Sequence, residues 1–527
     1  MYDFILKGGT VIDGTGSPAY TADVAVQAGR IAAIAGEIED AGAQVIDVTG
    51  LTVAPGFIDI HSHSDTSFLK DDRCESKLFQ GVTTEVAGQC GYTIYPCPEE
   101  NMETVRQLAG KELEPFASGS FADFMAKAKS LNRKMGTNLA SLIGHGALRA
   151  GVMGYENRKA TAQELETMQA LLHRDMKAGA FGLSLGLGYT PGISSDQEEL
   201  NALGSVVATY GGMVAAHMRD QGSNTPQSLE EMYEINRASG VHVHVAHFKA
   251  GGKANWGRAP EFVQNVANAR AGGVNVTVDV YPYTAASSGI TNSFPKWSIQ
   301  GGIAKAIERL QGEESGRLMT ELAEAFADQQ DGESLYIVTT QGHYPVADGK
   351  NIWQLSRELG LTMAETVARV TIETGGEARC IAFAMSESDV DYMLSQNEFA
   401  IGSDGSSLPL SESENDGKPH PRNFGTFPRF LRMARERNLC SPEVAVHRIT
   451  GLPAKMMGFN DRGILKVGSV ADITVFDYAN VTDRATYDNP FQRPEGIHHV
   501  FMAGKPAIQN GVQTAARLGE FLLKNRD

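Results

Sequence analysis

The sequence predicts an α/β protein: a (β/α)8 TIM barrel, a small β-sandwich domain built from both termini, and an inserted lobe. Both ends of the 527-residue chain contain short strand-like runs, whereas the middle alternates apolar runs with helix-patterned stretches. Such alternation is typical of parallel strands joined by crossover helices. Eight candidate strands over about 390 residues fit a barrel with insertions.

The two ends of the chain share a pattern of short β-like runs that stop at Gly or Asp. These runs are Phe4–Leu6, Thr10–Ile12 and Val24–Val26 at the start, and Gly463–Leu465, Asp472–Phe476 and Val500–Met502 at the end. Because two short β-rich ends flank a long middle of different character, we assign residues 1–54 and 455–527 to one β-sandwich domain. Residues 55–454 then form the barrel.

The eight predicted barrel strands are each followed by a helix-forming or loop-forming stretch. One such helix is predicted over Ala162–Lys177, where apolar residues recur at helical spacing. The gap before the eighth strand is too long for one crossover helix, so we predict an inserted lobe at about 286–345, with a helical stretch at 303–329. The strands are predicted to end near His61, Cys90, His145, Ser184, His217, His247, Tyr283 and Asp404.

Composition limits the classes of partner. The formal net charge of −17 argues against nucleic acid and against anionic membrane surfaces. No apolar run of about 18 residues predicts a membrane span, and no secretory signal is recognisable at the start, so a cytoplasmic location is expected. The five cysteines are odd in number and widely spread, which does not fit a disulfide framework.

The most informative local motif is a pair of histidines at the end of the first barrel strand. His61 and His63 follow the apolar run Phe57–Ile60 and point to the same side, because side chains alternate along a strand. Two imidazoles at one strand end can chelate a divalent ion. Two surface histidines in a loop are the alternative, and the preceding strand makes the metal site the better interpretation. Asp59, two residues before His61, points to the same side and lies deeper along the strand.

Other metal-ligating side chains end other candidate strands: Cys90, His217, His247 and Asp404. Each has an ordinary structural alternative, such as a buried cysteine or a helix-capping carboxylate. In a barrel, however, the carboxyl ends of the strands meet at one face. Thiolate together with imidazole suits Zn²⁺ best, and the number of ligands fits one or two ions.

This arrangement indicates metal-assisted hydrolysis. Zinc lowers the pKa of bound water to about 7 and polarises a carbonyl group. Asp404 could take the proton as hydroxide attacks and return it to a leaving amine. The residues at the strand ends therefore predict a hydrolase before any family is considered.

The sequence resembles the N-acyl-D-amino-acid deacylases (D-aminoacylases) of the amidohydrolase superfamily. The resemblance covers nearly the whole chain and also includes the closing segment Gly468–Asp472. Its most specific motifs, in chain order, are Gly56–Asp65, Gly88–Gly91, Gly144–Gly146, Gly186–Gly192, Ala246–Lys249, Asp279–Tyr283, Gly402–Gly405 and His420–Arg429.

The resemblance implies roles for these residues. One metal position would use His61, His63 and Asp404, and a second, tighter and catalytic position would use Cys90, His217 and His247. One zinc ion would be tightly bound, and a second is possible. Lys249, Arg422 and Tyr283 would bind the α-carboxylate, with Tyr281 as an alternative to Tyr283, and Tyr189 would steady the scissile carbonyl oxygen.

The expected activity is zinc-dependent hydrolysis of N-acyl-D-amino acids to a carboxylate and a free D-amino acid. The substrate partner is a small molecule, and the oligomeric state stays open. Two alternatives remain: a hydrolase of cyclic amides resembling dihydroorotase or hydantoinase, and a non-catalytic scaffold that has lost its metals. Departures from the family pattern at Gln89, at Phe248 and in the loop 406–419 leave the preferred side chain open. Basic residues of the lobe would favour acidic amino acids, whereas Phe294 and Trp297 would favour apolar ones.

Overall fold

The computed structural model describes residues 1–39, 42–101 and 118–524, and it contains the barrel that the sequence predicts. Eight parallel strands are present at the predicted positions, each followed by helices or loops on the outside. The strands, named barrel strands one to eight, are Phe57–Asp59, Val82–Ala87, Asn138–Ser141 with Ile143–Gly144, Gly182–Gly186, Met213–His217, His242–Val245, Val276–Val280 and Phe399–Ile401.

The barrel is closed by two irregular connections. Strand three is interrupted at Leu142, so that its first part pairs with strand two and its second part with strand four. Between strands eight and one, the amide of Asp404 donates to the His61 carbonyl at 2.8 Å, and the amide of His63 donates to the Gly405 carbonyl at 2.9 Å. The closing hydrogen bonds therefore lie at the predicted metal ligands themselves.

The outer helices form where the sequence gives amphipathic stretches and caps. Ala162–Lys177 has the predicted bounds, because Thr161 and Glu164 form a capping box at its start. Its buried residues, Met168, Leu172 and Met176, recur at helical spacing. The other helices around the barrel are Ser67–Lys70, Glu75–Leu78, Phe121–Ser130, His145–Met153, Gln197–Ala208, Thr225–Ser239, Ala259–Ala271, Glu387–Leu394, Arg422–Glu436, Pro442–Arg448 and Gly451–Met457.

The two ends of the chain build one nine-stranded sheet, as their shared pattern predicts. Strand Thr52–Pro55 joins the halves, since it pairs with Phe4–Val11 on one side and with Ile473–Phe476 on the other. Phe4 stacks on Phe501 with ring centroids 4.7 Å apart. The remaining strands are Tyr20–Gln27, Arg30–Ala35, Gln44–Asp47, Ile497–Met502, Lys505–Gln509 and Val512–Gln513.

The last described residues leave this sheet and return to the barrel. The Leu139 amide donates to the Glu520 carbonyl, and the Leu522 amide donates to the Leu139 carbonyl, so this segment runs beside strand three. Phe521 packs against Phe68 and Phe124. The segment predicted to belong wholly to the sandwich therefore also covers the barrel.

The inserted lobe is larger than predicted. Its four-stranded sheet contains Ala286–Gly289, Leu335–Thr339, Lys350–Asn351 and Arg379–Ala382, so the lobe continues well past residue 345. The physical reason is that Arg379–Ala382 pairs with both Ala286–Gly289 and Leu335–Thr339, and this distant pairing has no local sequence signal. The lobe helices are Ile303–Gln311, Ser315–Ala325, Gln329–Ser334, Ile352–Leu359 and Met363–Glu373. Among the described residues, no helix has the length and apolar character needed to span a membrane.

Candidate metal centre

Three of the predicted metal ligands occupy tight turns directly after barrel strands. Cys90, His247 and Asp404 have positive φ angles of 56°, 37° and 51°. Side chains other than glycine rarely adopt this left-handed conformation, and such residues concentrate at functional sites. The turns direct these side chains into the mouth of the barrel, where strand alternation alone would not predict their direction.

Four ligand atoms form a compact, buried group. They come from His61, Cys90, His247 and Asp404, and all of them lie within 4.8 Å of one another. The Cys90 Sγ is 3.4 Å from the Nε2 atoms of both His61 and His247. The His61 Nε2 is 3.5 Å from Asp404 Oδ1. Four predicted ligands from four different barrel strands therefore meet at one point.

The other two predicted ligands, His63 and His217, lie beside this group. The His63 Nε2 is 3.1 Å from Asp404 Oδ1, and the rings of His63 and His61 are 5.5 Å apart. The His217 ring is 4.7 Å from that of His247 and 4.9 Å from that of Tyr189. The six side chains thus lie together at one mouth, and the compact group of four takes members from both of the metal positions that the resemblance implies.

The electrostatic environment favours the ionised forms of the sulfur and carboxylate ligands. Burial raises the pKa of the Cys90 thiol, but the adjacent His247 and His61 outweigh burial and hold it well below its usual range. Burial likewise raises the pKa of Asp404, but Arg422 and His247 hold it well below its ordinary value. Thiolate and carboxylate are the forms that bind a metal ion.

Asp279 is a buried carboxylate behind the ligands that the sequence analysis did not assign to the site. Its Oδ2 lies 3.1 Å from His61 Nδ1 and 2.8 Å from His244 Nε2, and its Oδ1 accepts from the His247 amide at 2.9 Å. Metal-ligating histidines commonly donate their second ring N–H to such a carboxylate. Its signal in the sequence is a single charge inside the apolar run of strand seven.

Lys77 forms a second buried layer beneath the loop that carries Asp404. Its Nζ donates to Asp59 Oδ2 at 2.7 Å, to Ser403 Oγ at 2.8 Å and to the Gly405 carbonyl at 3.3 Å. Glu85 Oε2 lies 3.5 Å away. Asp59, which alternation places on the side of the histidines, therefore supports the site through Lys77 and is not part of the ligand group.

Two cations and a phenol lie on one side of the metal ligands. Lys249 Nζ and the Arg422 guanidinium each lie 5.5 Å from the centre of the Tyr281 ring. Arg422 Nη1 also donates to Asp404 Oδ2 at 2.7 Å. The Tyr281 hydroxyl is buried and has no hydrogen-bond partner among the described residues. This group is suited to bind an anionic part of a ligand.

Two predicted substrate residues make other contacts. The buried Tyr283 donates its hydroxyl to the Pro421 carbonyl at 3.4 Å, and its ring lies under Arg429. The Tyr189 hydroxyl donates to the Cys90 carbonyl, and its ring contacts His217 at 4.9 Å between centroids. The structure thus brings Tyr189 to the ligand group, whereas Tyr283 contacts the helix Arg422–Glu436 and the residue before it.

The donor set fits zinc. One thiolate, imidazole nitrogens and a carboxylate oxygen are the ligands that Zn²⁺ takes in proteins. The Asp279 carboxylate behind His61 supplies the second layer that such sites need. The set of donors from His61, Cys90, His247 and Asp404 therefore forms a candidate zinc centre, with His63 and His217 adjacent to it.

Comparisons with known proteins identify the family of this chain. The family model described as amidohydrolase family matches residues 44–314 and 413–508. The chain is 35% identical over 525 residues to the D-aminoacylase of Alcaligenes xylosoxydans xylosoxydans, covering 99% of this chain and 98% of that protein. It is 35% identical over 506 residues to the N-acyl-D-glutamate deacylase of the same organism, covering 95% and 93%. A solved N-acyl-D-glutamate deacylase from Bordetella bronchiseptica, complexed with zinc and a phosphonate inhibitor, has a TM-score of 0.83 and 32% identity, with 99% of each chain covered.

Proposed function

Because this chain belongs to the amidohydrolase family, we propose that it is a zinc-dependent deacylase of N-acyl-D-amino acids. It hydrolyses the amide bond and releases a carboxylate and a free D-amino acid. Relatives that match almost the whole chain are named D-aminoacylase and N-acyl-D-glutamate deacylase, and both names describe this reaction class.

One observation carries the proposal: a compact group of metal-binding side chains next to an anion-binding group. The four ligand atoms lie within 4.8 Å of one another, and Arg422 contacts both Asp404 and the Tyr281 ring. An N-acyl amino acid needs a metal centre and an anion-binding group close together, because only one carbon atom separates its free α-carboxylate from the amide nitrogen.

We assign the six metal-binding side chains to two metal positions with three ligands each. His61, His63 and Asp404 would hold one ion, and Cys90, His217 and His247 would hold the other. Zinc bound there supplies a Lewis acid that activates water and polarises the acyl carbonyl.

Asp404 is the proposed general base and acid. Its carboxylate is ionised at neutral pH, since Arg422 and the surrounding imidazoles hold its pKa low despite burial. Oδ2 accepts from Arg422, whereas Oδ1 faces His61 and His63 on the side of the metal ligands, so Oδ1 is the oxygen that would accept a proton from water and return it to the leaving nitrogen.

Lys249, Arg422 and Tyr281 are the proposed binding group for the α-carboxylate. Burial lowers the pKa of Lys249 to about 8, which leaves it mostly charged at neutral pH. The Arg422 guanidinium has further N–H groups beyond the one bound to Asp404. Tyr281 replaces Tyr283 in our assignment, because its hydroxyl lacks a partner among the described residues and its ring centre lies 5.5 Å from each of the two cations.

Tyr189 is the proposed donor to the scissile carbonyl oxygen. Its phenol stays protonated, because burial and the negative charge of Cys90 raise its pKa well above the usual value. The hydroxyl now donates to the Cys90 carbonyl and would exchange this bond for one to the substrate.

A release assay on matched enantiomers tests the function. Zinc-loaded enzyme should liberate amino acid from N-acetyl-D-amino acids and not from the N-acetyl-L forms. Equal rates on both enantiomers would overturn the D-specific assignment. Turnover of dihydropyrimidines with no release from any N-acyl amino acid would favour a cyclic-amide hydrolase. Absence of bound zinc, with no activity after zinc is added, would favour a scaffold.

A further inference from the structure

The sequence analysis places the candidates for side-chain selection in the lobe, and the two aromatic candidates are already engaged. Phe294 is 5% exposed and belongs to the core of the lobe. The Trp297 indole N–H donates to Glu321 at 2.8 Å, and the guanidinium of Arg317 covers its ring at 4.1 Å. The contacts of these two residues therefore do not support a preference for apolar side chains.

Most basic residues of the lobe are also engaged. Between residues 286 and 382, six of the eight lysines and arginines have a carboxylate oxygen within 4 Å: Lys296, Lys305, Arg309, Arg317, Lys350 and Arg369. Within the described part of the chain, Arg357 and Arg379 have no such partner. They differ in position, because Arg357 lies on the exposed side of helix Ile352–Leu359.

Arg379 lies on the face of the lobe sheet that is turned toward the barrel. It begins the strand Arg379–Ala382, in which Cys380 packs into the lobe core. Ile381 points to the opposite face, where it packs with Ala285, which follows barrel strand seven. Because side chains alternate along a strand, Arg379 shares the face of Ile381. The exposed guanidinium is therefore on the barrel side of the sheet, and the lobe helices are on the other.

The surroundings of Arg379 leave room for a ligand. Its cross-strand partner is Gly289, and a side chain added there would meet only Thr291 at 3.8 Å and the Ala378 carbonyl at 4.0 Å. Ile381, two residues along on the same face, packs with Tyr487, and the Tyr487 ring lies 5.1 Å from that of His420. The His420 Nδ1 in turn accepts from the Arg422 amide at 3.0 Å. The face of the sheet that carries Arg379 is thus continuous with the contacts around the proposed α-carboxylate ligand Arg422.

We propose that Arg379 binds a second carboxylate of the substrate, the side-chain carboxylate of an acidic D-amino acid. The enzyme would then prefer N-acyl-D-glutamate or N-acyl-D-aspartate over derivatives with apolar side chains. An exposed guanidinium without a carboxylate partner is suited to bind such a group in bidentate geometry. We assign the carboxylate to the amino-acid part because the strand of Arg379 packs on Ala285, close in the chain to the proposed α-carboxylate ligand Tyr281.

This inference rests on the proposed function, and a ratio of rates tests it separately. The readout is kcat/KM for N-acetyl-D-glutamate divided by kcat/KM for N-acetyl-D-leucine. We expect the native enzyme to favour glutamate and Arg379→Met to lower the ratio roughly 10- to 100-fold, as expected for losing a hydrogen bond to a charged group. Arg379→Lys should retain part of the preference, since it keeps the charge.

Arg357→Met is the matched control, since it removes a lobe arginine that also lacks a partner but lies on the far side of the sheet, and its ratio should equal that of the native enzyme. A ratio unchanged in Arg379→Met, or a native preference for leucine, would overturn the inference. So would a loss confined to N-succinyl-D-leucine, because the carboxylate would then belong to the acyl part. Complete inactivity of the native, zinc-loaded enzyme on all these compounds would instead overturn the proposed function.

Discussion

Lys77 is a fully buried lysine beneath the metal centre, and its replacement by methionine is the sharpest test of how the ligand loop is held. Its ammonium bridges Asp59 of barrel strand one and the Ser403–Gly405 turn that contains Asp404. Burial alone lowers the pKa of Lys77, but Asp59 and Glu85 outweigh burial and raise it, so the group is charged. The side chains of Lys77, Asp59 and Glu85 are 0%, 0% and 1% exposed.

The expected cost follows from the charges that remain. Methionine fills nearly the same apolar volume, so little of the loss comes from a cavity. The Asp59 and Glu85 carboxylates, however, would stay buried without their shared cation, and breaking such a buried pair costs about 3–5 kcal/mol. We therefore expect Lys77→Met to lose that much of the free energy of unfolding, a large part of a typical total of about 5–15 kcal/mol.

Urea denaturation of the zinc-loaded enzyme measures this loss as a shift in midpoint at constant slope. Exposed Lys466 provides the control, since Lys466→Met should change stability by less than about 0.5 kcal/mol. The double variant Lys77→Met/Asp59→Asn should be less destabilised than the sum of the single variants, because it removes both members of the pair. A Lys77→Met variant that unfolds within about 1 kcal/mol of the native enzyme would refute the reasoning.

Three further perturbations test other parts of the site. Asp404→Asn should lose at least about 100-fold in kcat, as expected for a general base and acid. Metal analysis should still find the zinc that Cys90, His217 and His247 hold, and retained turnover would exclude this role for Asp404. Tyr281→Phe should raise KM for N-acetyl-D-amino acids several-fold with little change in kcat, since it removes only a binding contact; an unchanged KM would remove Tyr281 from the carboxylate group. His242→Gln should flatten the pH dependence of stability. Burial lowers the pKa of His242 in the folded protein from 6.5 to about 3. As pH drops from about 6.5 toward 3, the unfolded chain therefore takes up a proton at this residue before the folded protein does, and stability falls. Unfolding midpoints across this range check the last prediction, with exposed His343→Gln as control, and identical slopes in native and His242→Gln enzyme would contradict it.

The strand ends and the outer helix could be predicted because their signals are local. The apolar run before His61 and the capping residues of Ala162–Lys177 lie next to the features that they determine. The convergence of six distant side chains followed from one topological rule, that the carboxyl ends of barrel strands meet at one face. No residue-by-residue contact had to be predicted for that conclusion.

The choice between Tyr281 and Tyr283 shows where a periodic pattern ends. Alternation gives both residues the same face only if barrel strand seven continues through them. The strand stops at Val280, and the Tyr283 amide donates to the Tyr281 carbonyl at 3.0 Å in a tight turn. The turn separates the two phenols, so that one lies beside Lys249 and the other beside Pro421.

The length of the lobe and the direction of Arg379, the proposed selectivity residue, could not be predicted for a different reason. Strand Arg379–Ala382 joins the lobe by pairing with Ala286–Gly289, which lies far away in the chain. Only this pairing decides which face Arg379 occupies, and a shift of one residue would turn its guanidinium toward the lobe helices. The sequence therefore identifies an arginine in the region, whereas its direction depends on sheet register.

The metal ligands and the proposed selectivity residue thus depend on sequence signals of different range. The reacting groups stand at strand ends that the barrel must bring together, so a change elsewhere rarely moves them apart. The proposed side-chain site depends on an inserted sheet whose register is set by remote strands. We therefore expect the residue at position 379 to be a better guide to acidic selectivity here than any of the metal ligands.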